Sequence, residues 1–126
     1  MFREEKARPK GLEARTPLTL DEFYEEHYAA EQFPRGVVLD TVTRFAAACH
    51  VPSRFLRPDD SFASVGVTQH DDCERFAVET AMLIKEAEQR FGVSLFGGRL
   101  VTLDDYVRVS VLADRLAARR QAAGNK

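Results

Sequence analysis

Several things this chain lacks bound what it can be. It has two cysteines, Cys49 and Cys73, in 126 residues, so no disulfide framework staples it and free buried thiols are expected. It has no apolar run of about 18 residues, which excludes a helical membrane span. No apolar core of a signal peptide stands near Met1, and a soluble cytoplasmic protein is expected. Neither sign of charge dominates: 18 Lys and Arg against 20 Asp and Glu give −2. The basic stripe of a nucleic-acid binder is missing, and no nucleic-acid partner is expected. There is no internal repeat, and no Gly-rich phosphate cradle: Gly97-Gly98-Arg99 lacks the G-x-x-x-x-G-K-[ST] context and reads as a turn.

What is present is helical periodicity, and the clearest instance runs from His70 to Leu95. Cys73, Phe76, Thr80, Leu83, Ile84, Ala87 and Phe91 recur at spacings of three and four, which predicts one apolar face. Asp71 with Glu74 three residues on predicts a capping box at its start. Gly92 predicts a left-handed stop, with Val93 folding back over the last turn.

Three more helices flank it. Thr19-Leu20-Asp21-Glu22 is a second capping box. It opens a short helix over 20–31 whose stripe of Leu20, Phe23, Tyr24, His27, Tyr28 and Glu31 should pack on the side of a bundle, with His27 partly buried and hydrogen-bonded. After Pro34, the residues Val38, Val42, Phe45, Ala46 and Cys49 mark a helix over 35–50 that stops at Val51-Pro52. Thr102 caps a last helix with Asp104 and Asp105 in its first turn and Leu103, Tyr106, Val107, Val109, Leu112, Ala113 and Leu116 on its apolar face.

The remaining segments read as connections. Residues 51–70 form a long link with one helical turn near Ser53, where Phe55 or Leu56 is pinned to the core. Asp59 and Asp60 bond nearby backbone N–H groups and Phe62 anchors the loop. Val93-Ser94-Leu95-Phe96 is a short apolar strip. Residues 1–17, rich in mixed charge with Pro9, Gly11 and Pro17, are expected to be a flexible tail. Residues 18–120 form one helical domain, and 121–126 should fray.

This order of helix, long loop, long helix, short link and last helix resembles the acyl carrier protein family over about residues 36–116. Arg57-Pro58-Asp59-Asp60-Ser61-Phe62 is similar to the family's loop before its second helix. Arg90-Phe91-Gly92-Val93-Ser94-Leu95 resembles the end of that helix, and Leu100-Val101-Thr102-Leu103-Asp104-Asp105-Tyr106-Val107 the opening of the last one. The resemblance implies an all-α, acyl-carrier-like bundle with an added N-terminal helix. It also implies protein partners among the enzymes of lipid or polyketide synthesis, docked on an acidic second helix, here Asp71, Asp72, Glu74, Glu79 and Glu86. In the family a phosphopantetheine arm hangs on a serine in a D-S-L phrase at the start of that helix. In this chain the serine slot falls on His70 counting from Phe62, or on Ala77 counting from Phe91, and no D-S-L phrase occurs. The expectation is therefore a non-enzymatic binding or adaptor module without the arm and with no cofactor. The alternative within the fold is a working carrier modified at Ser61 or Ser64.

Other chemistry is thinner. Cys49-His50 and His70-Asp71-Asp72-Cys73 supply zinc-type ligands, but without C-x-x-C or H-x-x-x-H spacing no metal site is expected. Cys73 near a helix start could serve as a nucleophile if its thiol pKa were lowered. A rival of another class is a helix-turn-helix regulator reading DNA through Arg108, Arg115, Arg119 and Arg120.

Overall fold

The computed structural model describes Leu12 and residues 14–66, 71–94 and 100–124, with side chains as far as Arg119. It is all-helical: α1 (Leu20–His27), α2 (Arg35–Cys49), α3 (Asp71–Phe91) and α4 (Leu103–Gly124), with 3-10 turns at Ala29–Glu31 and Ser53–Phe55. The expected all-α bundle with an extra N-terminal helix and a long link is present. His70 and the strip and turn over 95–99 lie outside the described residues.

Local chemistry sets most boundaries. The Thr19 hydroxyl accepts from Glu22 N at 3.0 Å, and the Glu22 carboxylate accepts from Thr19 N at 2.8 Å, the reciprocal box expected from the sequence. Gly92 takes φ +68, and Val93 N donates to Glu88 O at 3.2 Å, so α3 stops where the glycine permits a left-handed turn. The Val93 side chain stays exposed instead of covering that turn. At the other end α3 begins at Asp71, so Asp71 is a first-turn residue and not the cap. Its carboxylate, with those of Asp72 and Glu74, meets the positive end of the helix. The last helix runs to Gly124, so the chain from Gln121 stays helical to that point where fraying is expected.

Helix directions follow from the contacts. The start of α3 meets the end of α2, where the Cys73 thiol donates to Ala48 O at 3.4 Å and His50 Nε2 lies 2.7 Å from Asp72 Oδ2. The later residues Leu83 and Ile84 share a cleft with Gly36 and Val37 at the start of α2, so these two helices are antiparallel. Tyr106 near the start of α4 packs on Phe45 and Phe76, while Ala113 and Asp114 line the same cleft. α4 therefore runs parallel to α3 and opposite to α2.

The core is aromatic at its centre. Phe45, fully buried, has ring centroids of Phe62, Tyr106 and Phe76 at 5.2, 5.8 and 6.1 Å. Phe55 and Leu56 are both buried, and Phe62 anchors the link as expected. α1 packs on the bundle through Phe23 and Tyr28, and the Tyr28 hydroxyl donates to Asp104 Oδ1 at 2.7 Å. His27 Nε2 is buried with no hydrogen-bond partner among the described residues. Its ring meets Phe23 edge-on at 5.0 Å, an apolar contact in place of the expected hydrogen bond.

The N-terminal segment departs from expectation. Leu12 is 1% exposed and belongs to the core. Arg15 sends both terminal nitrogens to the Asp60 carboxylate at 2.7 and 3.0 Å, and Nη1 also reaches Phe55 O at 2.9 Å. Leu18 N donates to Arg54 O at 2.9 Å. Arg15 and Leu18 thus dock on the link between α2 and α3 instead of forming part of a free tail. Asp60, 2% exposed, is the hub: its carboxylate also accepts from Arg57 N at 2.8 Å and from the Ser64 hydroxyl at 3.1 Å. Its carbonyl accepts from Leu103 N at 2.8 Å, tying the link to the first turn of α4.

A candidate docking face on the long helix

Periodicity puts two surfaces of α3 to work. Cys73, Phe76 and Ile84 face inward and are buried. On the opposite side Val78 and Met82, four residues apart, are 55% and 65% exposed. Glu79 and Glu86 stand along one edge of that apolar pair, with Glu74 across it and Asp71 in the same outward sector one turn earlier. None of Asp71, Glu74, Glu79 and Glu86 makes an ion pair among the described residues. Asp72 is already engaged by His50 and by Arg75 at 3.5 Å. The structure thus places four of the five acidic residues singled out in the sequence in one outward sector, which they share with exposed Arg75 and Lys85. It adds Val78 and Met82, which no core periodicity marks because they lie off the buried stripe.

The inward stripe is incomplete. Leu83, expected in the core, is 56% exposed, and Leu112 on α4 is exposed as well. α2 has 15 residues, whereas α3 and α4 have 21 and 22. The two longer helices outrun α2 at Arg35 and leave a cleft of about 440 Å³ between all three. Val37, Phe76, Leu83, Ile84, Val109 and Ala113 give it apolar walls. Thr41 and Thr80 also line it, but their hydroxyls bond back to Val37 O and Phe76 O, at 2.8 and 2.9 Å. Its charged lining is Asp40, Arg44 and Asp114, with Arg44 drawn to Asp40 at 3.5 Å.

The positions at which a prosthetic serine would stand are unfavourable. Ala77 is half-buried in the second turn of α3. Ser61 and Ser64 form a closed pair: each hydroxyl accepts from the other's backbone N–H, at 3.1 and 2.8 Å, and Ser64 Oγ also donates to Asp60. They sit beside the first turn of α4, where Ser61 bridges Thr102, and not at a helix start of their own. That first turn is itself fully occupied. Leu103, Asp104 and Asp105 N–H groups bond to Asp60 O, Pro58 O and Thr102 Oγ1 at 2.8, 2.8 and 3.2 Å.

The thiols are unreactive by environment. Cys49 and Cys73 are buried against one another, and burial raises both thiols, that of Cys49 strongly; the Asp72 carboxylate adds to the shift at Cys73. A thiolate nucleophile at neutral pH is not what this arrangement provides. Among the described residues no three His, Cys, Asp or Glu side chains are grouped to hold a metal ion. Of the arginines expected at a DNA contact, Arg108 is held by Glu31 at 2.9 and 3.0 Å and by Asp104 at 2.7 Å, and both Arg108 and Arg115 lie over the Phe33 ring. Arg119 is exposed, and the Arg120 side chain lies outside the described residues.

Alkaline pH should therefore unfold the protein. Burial raises the phenols of Tyr28 and Tyr106, the latter to about 12 from 10.0, and raises both thiols from 9.0. Each such group binds its proton more tightly folded than unfolded. Their contribution is complete below the unfolded values and is lost as pH climbs through 9.0 and 10.0 toward the raised folded ones. The urea midpoint is expected to hold up to about pH 8.5 and then to fall steadily. A midpoint flat to about pH 11 would contradict these burials.

Among the described residues no helix is long and apolar enough to cross a membrane. No family model, no curated protein and no solved structure matches the chain.

Proposed function

We propose that the chain is a non-enzymatic cytoplasmic adaptor of acyl-carrier-like design. It docks through α3 on enzymes of lipid or polyketide synthesis and carries no phosphopantetheine arm. The observation that supports this most is the outward face of α3. Val78 and Met82 are exposed beside Glu74, Glu79 and Glu86, none of which makes an ion pair among the described residues, with exposed Arg75 and Lys85 on the same face. Such a face offers a basic partner long-range attraction from the carboxylates and apolar burial under the stripe. His70 and Ala77 at the serine slot, and the closed Ser61–Ser64 pair, favour the armless form.

The test is binding to a panel of condensing enzymes and acyltransferases that use carrier proteins, followed by calorimetry. Complexes that weaken steeply with salt are expected, because the attraction is between exposed charges. The triple variant Glu74→Lys, Glu79→Lys, Glu86→Lys should bind at least about a hundredfold more weakly, since like charges then oppose across the interface. No binding to any member at low ionic strength would remove the reading. A gain of one phosphopantetheine mass after co-expression with a phosphopantetheinyl transferase would replace it by the working carrier.

A further inference from the structure

We infer that the outward face of α3 is also a self-association surface, which pairs antiparallel with α3 of a second copy of the chain about a twofold axis at the level of Thr80. The face carries both signs of charge. Glu74 and Lys85 lie along one edge of the Val78–Met82 stripe, and Arg75, Glu79 and Glu86 along the other. All of these side chains are exposed, Val78 and Met82 to 55% and 65%. Each edge thus holds acid and base on opposite sides of Thr80, and a second surface with the same two edges is complementary to it. Cys73, Phe76 and Ile84 are buried on the other side of α3, so the two bundles stand on opposite sides of the seam.

The twofold axis of an antiparallel pair sets each edge against its own copy and brings residues equally far before and after Thr80 to one level. Val78 of each copy then meets Met82 of the other. On one edge Glu74 faces Lys85, and on the other Arg75 faces Glu86, each pair offset along the helix by one residue, about 1.5 Å. The symmetry forms every one of these contacts twice. Beyond them Asp71 lies level with Gln89, whose amide can donate to it. Arg75 already reaches Asp72 at 3.5 Å, but an exposed pair of that kind is weak enough to exchange. Glu79 is the exception, since near the axis it falls beside its own copy, at the outer margin of its edge. A parallel pair would set Asp71 against its own copy and align the two helix dipoles. The pairing does not rest on the adaptor reading; where both hold, enzyme and second copy exclude one another on α3.

A seam along one helix is small for an interface, so reversible dimerisation with a Kd on the order of 100 μM is expected. Sedimentation equilibrium of the full chain from about 10 μM to about 1 mM reads it. Glu74→Lys alone and Lys85→Glu alone should each weaken the dimer at least about tenfold, because like charges then meet twice. An equimolar mixture of these two variants should regain wild-type affinity as a mixed dimer, since every charge on that edge again meets its opposite. Within one copy Glu74 and Lys85 stand about 16 Å apart along the helix, so such a rescue arises only between copies. Met82→Ser should cost about tenfold or more through the lost apolar contacts, and Glu79→Gln should tighten the dimer. A monomer throughout the concentration range would overturn the inference. So would a mixture no tighter than its two components, the result of a parallel pair, in which Glu74 lies beside Arg75 and Lys85 beside Glu86.

Discussion

Phe45→Ala is expected to cost about 3–5 kcal/mol, the range for truncating a fully buried aromatic side chain. Phe45 is where α2, α3, α4 and the link meet: Phe76 stands edge-on to it, Phe62 stacks on it, and Tyr106 meets it at 66°. Removing the ring leaves a cavity bounded by three other rings that are also packed on each other, so collapse into the space is opposed. Against the roughly 5–15 kcal/mol of a typical domain, much of the population would unfold near body temperature. The melting midpoint should fall by about 10–20 °C. Phe62→Ala, at a half-buried ring, should cost clearly less. Equal losses at the two sites would mean that the aromatic cluster is not centred on Phe45.

The same cluster shows which parts of the fold are legible in the sequence. Phe45, Phe76 and Tyr106 each lie on a stripe at helical spacing, and the residues that begin or end a helix stand beside them: Thr19 with Glu22, Gly92, Thr102. A stripe, however, gives a direction and not a depth. Leu83 and Leu112 satisfy the period yet remain exposed, Leu83 at a cleft it shares with α2 and Leu112 outside that cleft, and how neighbours close over a stripe is a tertiary quantity. The reverse failure is Val111. It is buried although off the main stripe of α4, since α1 and the turn after it cover a second flank of that helix through Tyr28 and Phe33. The acidic residues of the candidate face are visible in the sequence as a cluster. Their common orientation, and the exposed Val78 and Met82 between them, require the helix to be placed against its neighbours.

That dependence on placement also explains why docking on α3 and order in the core are separable. Val78, Met82 and the carboxylates near them point away from the packed side, so the triple charge reversal tests binding with little effect on the core. Cys73 and Phe76, on the opposite side, hold α3 in position. The face presents a fixed geometry because its inner side is anchored on two other helices.

Removing residues 1–17 is expected to destabilise the domain by about 3–6 kcal/mol, whereas deletion of a flexible tail would leave stability unchanged. Two contributions set the figure. Leu12 is buried to the level of the central core residues, worth about 1.5–3 kcal/mol. Among the described residues, Arg15 supplies the cation that bonds the Asp60 carboxylate, itself 2% exposed. Removing one partner of a buried pair costs about 3–5 kcal/mol, reduced here toward about 2–3 because the Arg15 side chain is 30% exposed. Asp60 would retain Arg57 N and the Ser64 hydroxyl, which satisfy hydrogen bonds but bring no charge. Asp60→Ala should be at least as damaging as Arg15→Ala, since it also takes the carboxylate acceptor from Arg57 N and the Ser64 hydroxyl. A double-mutant cycle on Arg15 and Asp60 should return a coupling of about 1–3 kcal/mol, measured by urea unfolding. A coupling near zero, with an unaltered midpoint after truncation, would show that the contact exists without holding the link to the bundle. The sequence conceals this because Arg15 is one of many charges in its segment, and its partner stands 45 residues away in a loop. Only closure of the link against α4 brings Asp60 out of water and leaves it in need of a cation.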